Sequence, residues 1–256
     1  MRTLFIADLH LGPDTPALNA LFTAFLQRHR GQCAALYILG DLFEYWIGDD
    51  DLTPLNCQLI AEMGKFAYHT PLFIMRGNRD FLLGQRFSEL TGATLLEDPS
   101  VIQCQHHRVM VSHGDIWCTD DVAYQRYRQK IRQPWRLALL RRLPLSFRQQ
   151  LAEKLRQRSQ RHKRDSTAQI MDVNTAALEH SWHQQAADYL IHGHTHRPRH
   201  HRHRIGSRLL SRWVIPDWYD NKGGYLAMDN GRITRYQMTM GNDKKLLETL
   251  LPSEDC

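Results

Sequence analysis

An α/β fold whose sheet is covered on both faces is what this chain predicts, and three observations predict it. Short, almost uninterrupted apolar runs recur between residues 2 and 191. Stretches with helical spacing of apolar residues separate the early runs. Polar residues of a restricted kind (Asp, His and Asn) follow the runs rather than break them. Strands buried on both faces read as continuous apolar runs, and helices between them are the crossovers that parallel strands require.

Residues 2–7 supply the first strand. Leu18, Leu21, Phe22, Phe25 and Leu26 then fall on one face of a helix. Residues 35–39 are the second strand, and 55–68 a helix-like stretch. Residues 72–75, 108–111 and 189–191 are further strands. Beyond about Trp213 the style changes: 212–215, 224–228 and 233–238 read as antiparallel strands. Asn230-Gly231, between the last two, is a type I′ hairpin signal. The sheet is therefore mixed, or there are two.

Residues 119–165 interrupt the alternation. Pro134 and Pro144 cut them into short helices. Phe147, Leu151 and Leu155 recur every fourth residue, while Arg148, Lys154, Arg156 and Arg158 fill other faces. Within 126–164 stand 14 Lys/Arg against one acid, Glu153, giving +13 and leaving −7 for the rest of a chain of net charge +6. A mildly acidic body thus carries a basic, amphipathic helical insertion, and that insertion is expected to face something anionic.

Composition excludes several classes. With 42% hydrophobic and 23% charged residues the chain is not disordered. No apolar run approaches the roughly 20 residues of a spanning helix. Leu4-Phe5-Ile6-Ala7 is too short for a signal peptide and Asp8 ends it, so the expected compartment is the cytoplasm. The cysteines are scattered and form no C-x-x-C, which argues against a disulfide framework or a cysteine zinc site. The tract 197–204 (R-P-R-H-H-R-H-R) has no interleaved aromatics and reads as a solvated loop, not a nucleic-acid patch.

Five runs end at potential metal ligands. The first leads to Asp8 and His10, the second to Asp41, the third to Asn78, the fourth to His113, and a fifth to His194 and His196. Ligands in open α/β sheets bind beyond the carboxyl ends of the strands. Any one of these residues alone is as readily a cap, a turn residue or a hydrogen-bonded histidine. Five strand ends in succession are another matter. Carboxylate, imidazole and amide donors suit Mn, Fe or Zn. Two such ions can clamp the attacking and leaving oxygens of a phosphoryl displacement, with Asp41 as the natural bridging carboxylate.

D-L-H at 8–10, G-D at 40–41, G-N-R-D at 77–80, S-H-G-D at 112–115 and H-G-H-T-H at 192–196 resemble the calcineurin-like metallophosphoesterase superfamily. The resemblance implies a four-layer α/β/β/α sandwich, one metallophosphoesterase domain over 1–256 with 119–165 as an insertion within it. It also implies a dinuclear site. Asp8, His10, Asp41 and His196 would hold one metal, and Asp41, Asn78, His113 and His194 the other. L-G-D-L-F-E-Y-W-I-G-D-D at 39–50, R-G-N-R-D-F-L at 76–82 and I-M-D-V-N at 170–174 look like the UDP-2,3-diacylglucosamine pyrophosphohydrolase branch of lipid A biosynthesis.

That branch implies hydrolysis of UDP-2,3-diacylglucosamine by water at the α-phosphorus, with two Mn²⁺ or other divalent transition metals. It implies a monomer, peripheral on the cytoplasmic face of the inner membrane, with an anionic membrane surface as partner and no nucleic acid. Asn78, Arg79 and His194 would be catalytic. Arg79, beside Asn78, is placed to stabilise developing charge. Asn78, Arg79, His194, Asp121, Ser159, Lys163 and Ser166 would contact substrate. Asp121 and Ser159 match the family pattern, whereas Lys163 stands where an amide is common and Ser166 where a lysine is common. Tyr124 and Tyr127 line a pocket or simply pack. The competing reading is a general phosphodiesterase or protein phosphatase on the same scaffold.

Overall fold

The computed structural model describes residues 1–165 and 172–246, with backbone alone at 157–165 and 205. In chain order the elements are β1 (Thr3–Ile6), α1 (Pro16–His29), β2 (Ala35–Leu39), α2 (Pro54–Ala67), β3 (Leu72–Met75), α3 (Gln85–Thr91), β4 (Thr94–Leu96), β5 (Ser100–Cys104) and β6 (His107–Ser112). A 3₁₀ turn at Asp115–Trp117 precedes α4 (Val122–Ile131), α5 (Pro134–Arg142), α6 (Leu145–Asp165) and α7 (Thr175–Gln185). The chain continues through β7 (Tyr189–His192), β8 (His200–Ile205), β9 (Arg208–Val214), β10 (Gly223–Asp229), β11 (Arg232–Met238) and β12 (Asp243–Leu246).

Side-chain alternation decides the layering. On β1, Leu4 and Ile6 point one way, into a core with Phe22 and Phe25 of α1 and with Leu59 and Met63 of α2. Phe5 points the other way and joins Tyr37, Met75, Val109, Val111 and Ile191 in a second core. Met110 of β6 and Leu190 of β7 face a third core, with Leu178 and Trp182 of α7. Because strand residues alternate faces, three cores require two stacked sheets with helices outside each. This is the expected four-layer sandwich.

Both sheets are mixed. The first runs β12-β11-β10-β1-β2-β3-β4, and the second β5-β6-β7-β9-β8. In the first, β1, β2, β3 and β4 are mutually parallel, and β10 joins β1 antiparallel with Thr3 opposite Met228. The β10–β11 hairpin turns at Asn230 and Gly231, both with positive φ, as the N-G pair demands. No helix among the described residues is long and apolar enough to cross a membrane.

Three expectations are sharpened or corrected. There are two sheets: residues 212–214 lie in β9 of the second, antiparallel to β8 but parallel to β7, whereas 224–228 and 233–238 pair antiparallel in the first. From His200 on, the tract 197–204 is not a solvated loop, since β8 pairs antiparallel with β9 and His203 is buried against Glu179; only residues 197–199 are exposed and outside the strand. On α6 the charged and apolar roles are exchanged at one turn. Phe147 is 53% exposed, while Arg148 is only 3% exposed. Arg148 donates to the Ile47 carbonyl and forms a bidentate pair with Asp50, so an acid on the body draws this cation inward.

Candidate metal centre

The two sheets deliver their strand ends to one edge. Asp8, Asp41 and Asn78 follow β1, β2 and β3 of the first sheet; His113, His194 and His196 follow β6 and β7 of the second. Ligating atoms of Asp8, His10 and His196 lie within 4.8 Å of one another, as do those of Asp8, Asp41 and His113. Asn78 Oδ1 is 2.9 Å from His113 Nε2, and the His194 ring lies 4.9 Å from that of His113. The structure therefore gathers all seven predicted residues at one edge, and Asp8 belongs to both of these acid–histidine sets. Asp8, His10, Asp41, His194 and His196 all adopt positive φ, which non-glycine residues adopt at a cost.

Close glycine packing makes this convergence possible. A Cβ on Gly77 would stand 2.1 Å from Asp41 Oδ1, and one on Gly193 2.5 Å from Asp8 Oδ2. Asp80 stitches two of the loops: its carboxylate accepts from Gly77 N at 2.7 Å and Leu42 N at 2.8 Å. Burial and the nearby Asp41 raise its pKa to about 6.

The donor set suits a cation. His113 Nδ1 lies 3.0 Å from the Leu39 carbonyl, to which it donates, so Nε2 offers a lone pair toward Asn78 Oδ1. Two lone pairs at that distance repel unless a proton or a metal lies between them. Asp8 Oδ1 is buried without a hydrogen-bond partner. Burial disfavours the His113 cation, yet Asp41, Asp115, Asp8 and Asp98 outweigh it and raise the pKa to about 9. Burial also pushes Asp8 upward. A cavity that holds a proton so firmly on a buried imidazole is one that binds positive charge, and the residues present fit divalent metal ions.

Outer residues orient the imidazoles. His196 Nδ1 sits 2.8 Å from Asp217 Oδ2, and His10 Nδ1 3.0 Å from Glu44 Oε2. Both arrangements leave Nε2 for the site, the usual carboxylate–histidine pattern of metal centres. Sequence reasoning missed both acids. Glu44 directly follows the apolar pair Leu42-Phe43, and Asp217 lies in an irregular segment with no spacing signal.

The insertion docks on the loop after β6. Asp115, fully buried, accepts from Tyr124 Oη at 2.5 Å, Arg128 Nε at 2.8 Å and Arg132 Nη2 at 3.1 Å. The two arginines and His113 hold its carboxyl far below the usual range despite burial. The Tyr124 ring also stacks near His194, with centroids 6.2 Å apart. Asp121 caps α4 by accepting from Tyr124 N at 2.8 Å. The side chains of Ser159 and Lys163, and all of Ser166, lie outside the described residues.

Between the insertion and the body is a cavity of about 230 Å³. Asn78 and Arg79 are among its polar lining, and Trp46, Phe81, Tyr127, Leu140, Leu151 and Leu155 supply apolar wall. Arg79 Nη1 reaches the Tyr45 hydroxyl and lies 3.6 Å from Glu44.

Comparisons with known proteins agree with this geometry. The family model for calcineurin-like phosphoesterase matches residues 1–198. A protein of Chromobacterium violaceum named UDP-2,3-diacylglucosamine hydrolase is 49% identical over 249 residues, covering 94% of this chain and 100% of its own. Proteins of the same name from Coxiella burnetii (47%, covering 85% of this chain and 90% of their own) and Escherichia coli O7:K1 (43%, covering 86% and 92%) are also similar. Among solved structures, an archaeal phosphodiesterase shares the fold at TM-score 0.50 and 10% identity, covering 93% of this chain and all of that one. The chain belongs to the calcineurin-like phosphoesterase family, within the group whose curated members are named UDP-2,3-diacylglucosamine hydrolase.

Proposed function

We propose that this protein hydrolyses the pyrophosphate of UDP-2,3-diacylglucosamine, giving UMP and 2,3-diacylglucosamine 1-phosphate in lipid A biosynthesis. The observation that carries the reading is similarity of 43–49% identity, over most of the chain, to hydrolases named for that substrate. Asp8, His10, Asp41 and His196 would hold one divalent metal, and Asp41, Asn78, His113 and His194 a second, with Mn²⁺ the metal expected in both. Bound there, the pair supplies charge that polarises the phosphoryl group and makes water a nucleophile near neutral pH.

The chain's own residues do the rest. Arg79 and Asn78, which line the cavity, meet the pyrophosphate, and the apolar wall accommodates acyl chains. Water adds to the α-phosphorus, the bond from that phosphorus to the bridging oxygen breaks, and the lipid phosphate leaves. His194, whose ring burial lowers to a pKa of about 3, is held neutral and so serves as a lone-pair donor. Asp121, Ser159 and Lys163 of the insertion, with Ser166 just beyond it, would contact the sugar phosphate.

Residues 119–165 act in this reading as a substrate-binding insertion in a single domain. Trp135, Leu139 and Phe147 stand exposed among its arginines, which suits a peripheral monomer resting on an anionic inner-membrane surface. The test is direct. Purified protein with Mn²⁺, detergent and UDP-2,3-diacylglucosamine in H₂¹⁸O should release UMP carrying the label. Label in the lipid phosphate refutes attack at the α-phosphorus. Absence of UMP, with brisk turnover of a phosphoprotein or cyclic nucleotide, refutes the substrate and favours a general phosphatase.

A further inference from the structure

A line of buried polar side chains crosses the second sheet, away from the substrate cavity. It begins at Glu179 of α7, whose Oε1 lies 2.7 Å from His203 Nδ1 of β8. His203 Nε2 accepts from Arg212 Nε of β9 at 3.0 Å. Arg212 Nη1 lies 3.1 Å from His192 Nε2 at the end of β7. His192 Nδ1 lies 2.9 Å from the Gly193 carbonyl. His192 is fully buried, and His203 and Arg212 nearly so.

The donors admit one assignment. A guanidinium only donates, so Nε2 of both histidines must accept. Each imidazole then carries its proton on Nδ1. His203 gives it to Glu179, and His192 to the Gly193 carbonyl. Arg212 sits at the centre and sets the direction of the whole line. Trp117 and Trp182 pack edge-on against His192 and His203, which leaves those rings little freedom to turn.

The line ends on the turn that carries two predicted ligands. The Gly193 carbonyl also accepts from Thr195 N at 2.9 Å, and Gly193 N donates to the His113 carbonyl at 3.0 Å. His194 N donates to Asp8 Oδ2 at 2.8 Å. His194 and His196 both have positive φ, so the turn is held in a costly shape by what surrounds it. Burying a guanidinium among strands is itself unfavourable, and an apolar side chain would cover the sheet more cheaply. What an apolar side chain lacks is any hold on His192.

We propose that Arg212 is a positioning residue of the metal centre: it fixes His192 and, through it, the ligating shape of residues 193–196. The inference rests on the metal-centre reading above. The hydrogen bonds of Arg212 among the described residues go to His203 and His192, so its role is to position and not to make or break bonds.

The experiment measures Mn²⁺ binding to metal-stripped protein by calorimetry, together with thermal unfolding of the metal-free form and kcat and KM of the loaded enzyme. The variants are Arg212→Met, Arg212→Lys and, as control, Leu210→Ala on the same strand. Loss of an outer orienting group typically costs about 10–100-fold in metal affinity, and R212M is expected in that range. R212K keeps a buried cation but reaches one imidazole at a time, so it should recover part of the affinity. In both, kcat should fall more than KM changes. L210A removes a buried side chain from the α7-facing core and should lower the unfolding temperature while keeping wild-type Mn²⁺ affinity. Wild-type affinity in both arginine variants overturns the proposal, as does an equal loss in L210A. If R212M does not fold, R212K decides alone: full affinity there overturns it. A wild-type protein that takes up no Mn²⁺ instead overturns the metal-centre reading on which the proposal stands.

Discussion

Gly77→Ala tests whether close backbone approach, rather than the ligands alone, builds the site. The added Cβ would lie 2.1 Å from Asp41 Oδ1 and 2.3 Å from Asp41 N. The first overlap is relieved if the carboxylate rotates; the second is not, because N is backbone. Asp41 cannot easily retreat, since its carbonyl accepts from Leu9 N at 2.9 Å and from His10 N at 3.1 Å. Moving it disturbs the loop after β1 as well. Overpacking costs about 1–3 kcal/mol, and a clash with backbone belongs at the upper end, about 3 kcal/mol. For a chain of this size that is a fall of roughly 6–12 °C in Tm. Mn²⁺ affinity should fall at least about tenfold, because Asp41 and Asn78 separate. Scanning calorimetry on metal-free protein and titration with Mn²⁺ read the two effects. Gly241→Ala, where a Cβ meets nothing within 4 Å, is the neutral control. A G77A protein with the Tm and metal affinity of G241A refutes the reasoning.

Arg128→Ala removes one of two arginines from the buried Asp115; Arg132 remains, so the loss should be about 2–3 kcal/mol by urea denaturation, with faster tryptic cleavage in 126–142. A change under about 0.5 kcal/mol would show that α4 is not anchored there. His201 has its pKa lowered by burial, then by Arg212, to about 3. Below about pH 6.5 the unfolded chain takes a proton that the folded one refuses, so stability falls as pH drops from there toward 3. The Tm of wild type relative to His201→Gln should therefore decline on acidification, and a pH-independent difference contradicts this. Cys57 is exposed, whereas Cys33, Cys104 and Cys118 are buried with thiols pushed upward by burial. Among these four, only Cys57 should react with iodoacetamide at pH 8; modification of Cys118 before unfolding would be inconsistent with the packing of the loop after β6.

The strands that frame the site were legible because each is short, buried on both faces and therefore uninterrupted in sequence. Asp8, Asp41, Asn78 and His113 could be found for the same reason: a polar residue at the end of such a run is conspicuous. β8 was not legible, because H-H-R-H-R-I has no apolar alternation and is held in place by β9 and by Glu179. Sheet membership of β9 was hidden too, since an apolar run does not say which neighbour it will find. Glu44 and Asp217 take their place from partners on other loops, His10 and Arg79 for the first and His196 for the second, and nothing local marks them. On α6 the fourfold spacing gave the helix but not its rotation, which Asp50 decides by pairing with Arg148.

The place of β1 beside β10 has a consequence for synthesis on the ribosome. Thr3 pairs with Met228, so the first strand emerges long before its antiparallel partner exists. At the usual pace of about 5–20 residues per second, the separation corresponds to roughly 10–45 s. Until β10 is made, β2 is the only sheet neighbour available to Thr3–Ile6, and the other edge of that strand stays open. Every predicted ligand, from Asp8 to His196, has by then been translated. A nascent chain stalled before Gly223 thus owns a complete set of metal-binding side chains and an unfinished sheet, and the edge it exposes is the kind that recruits other strands.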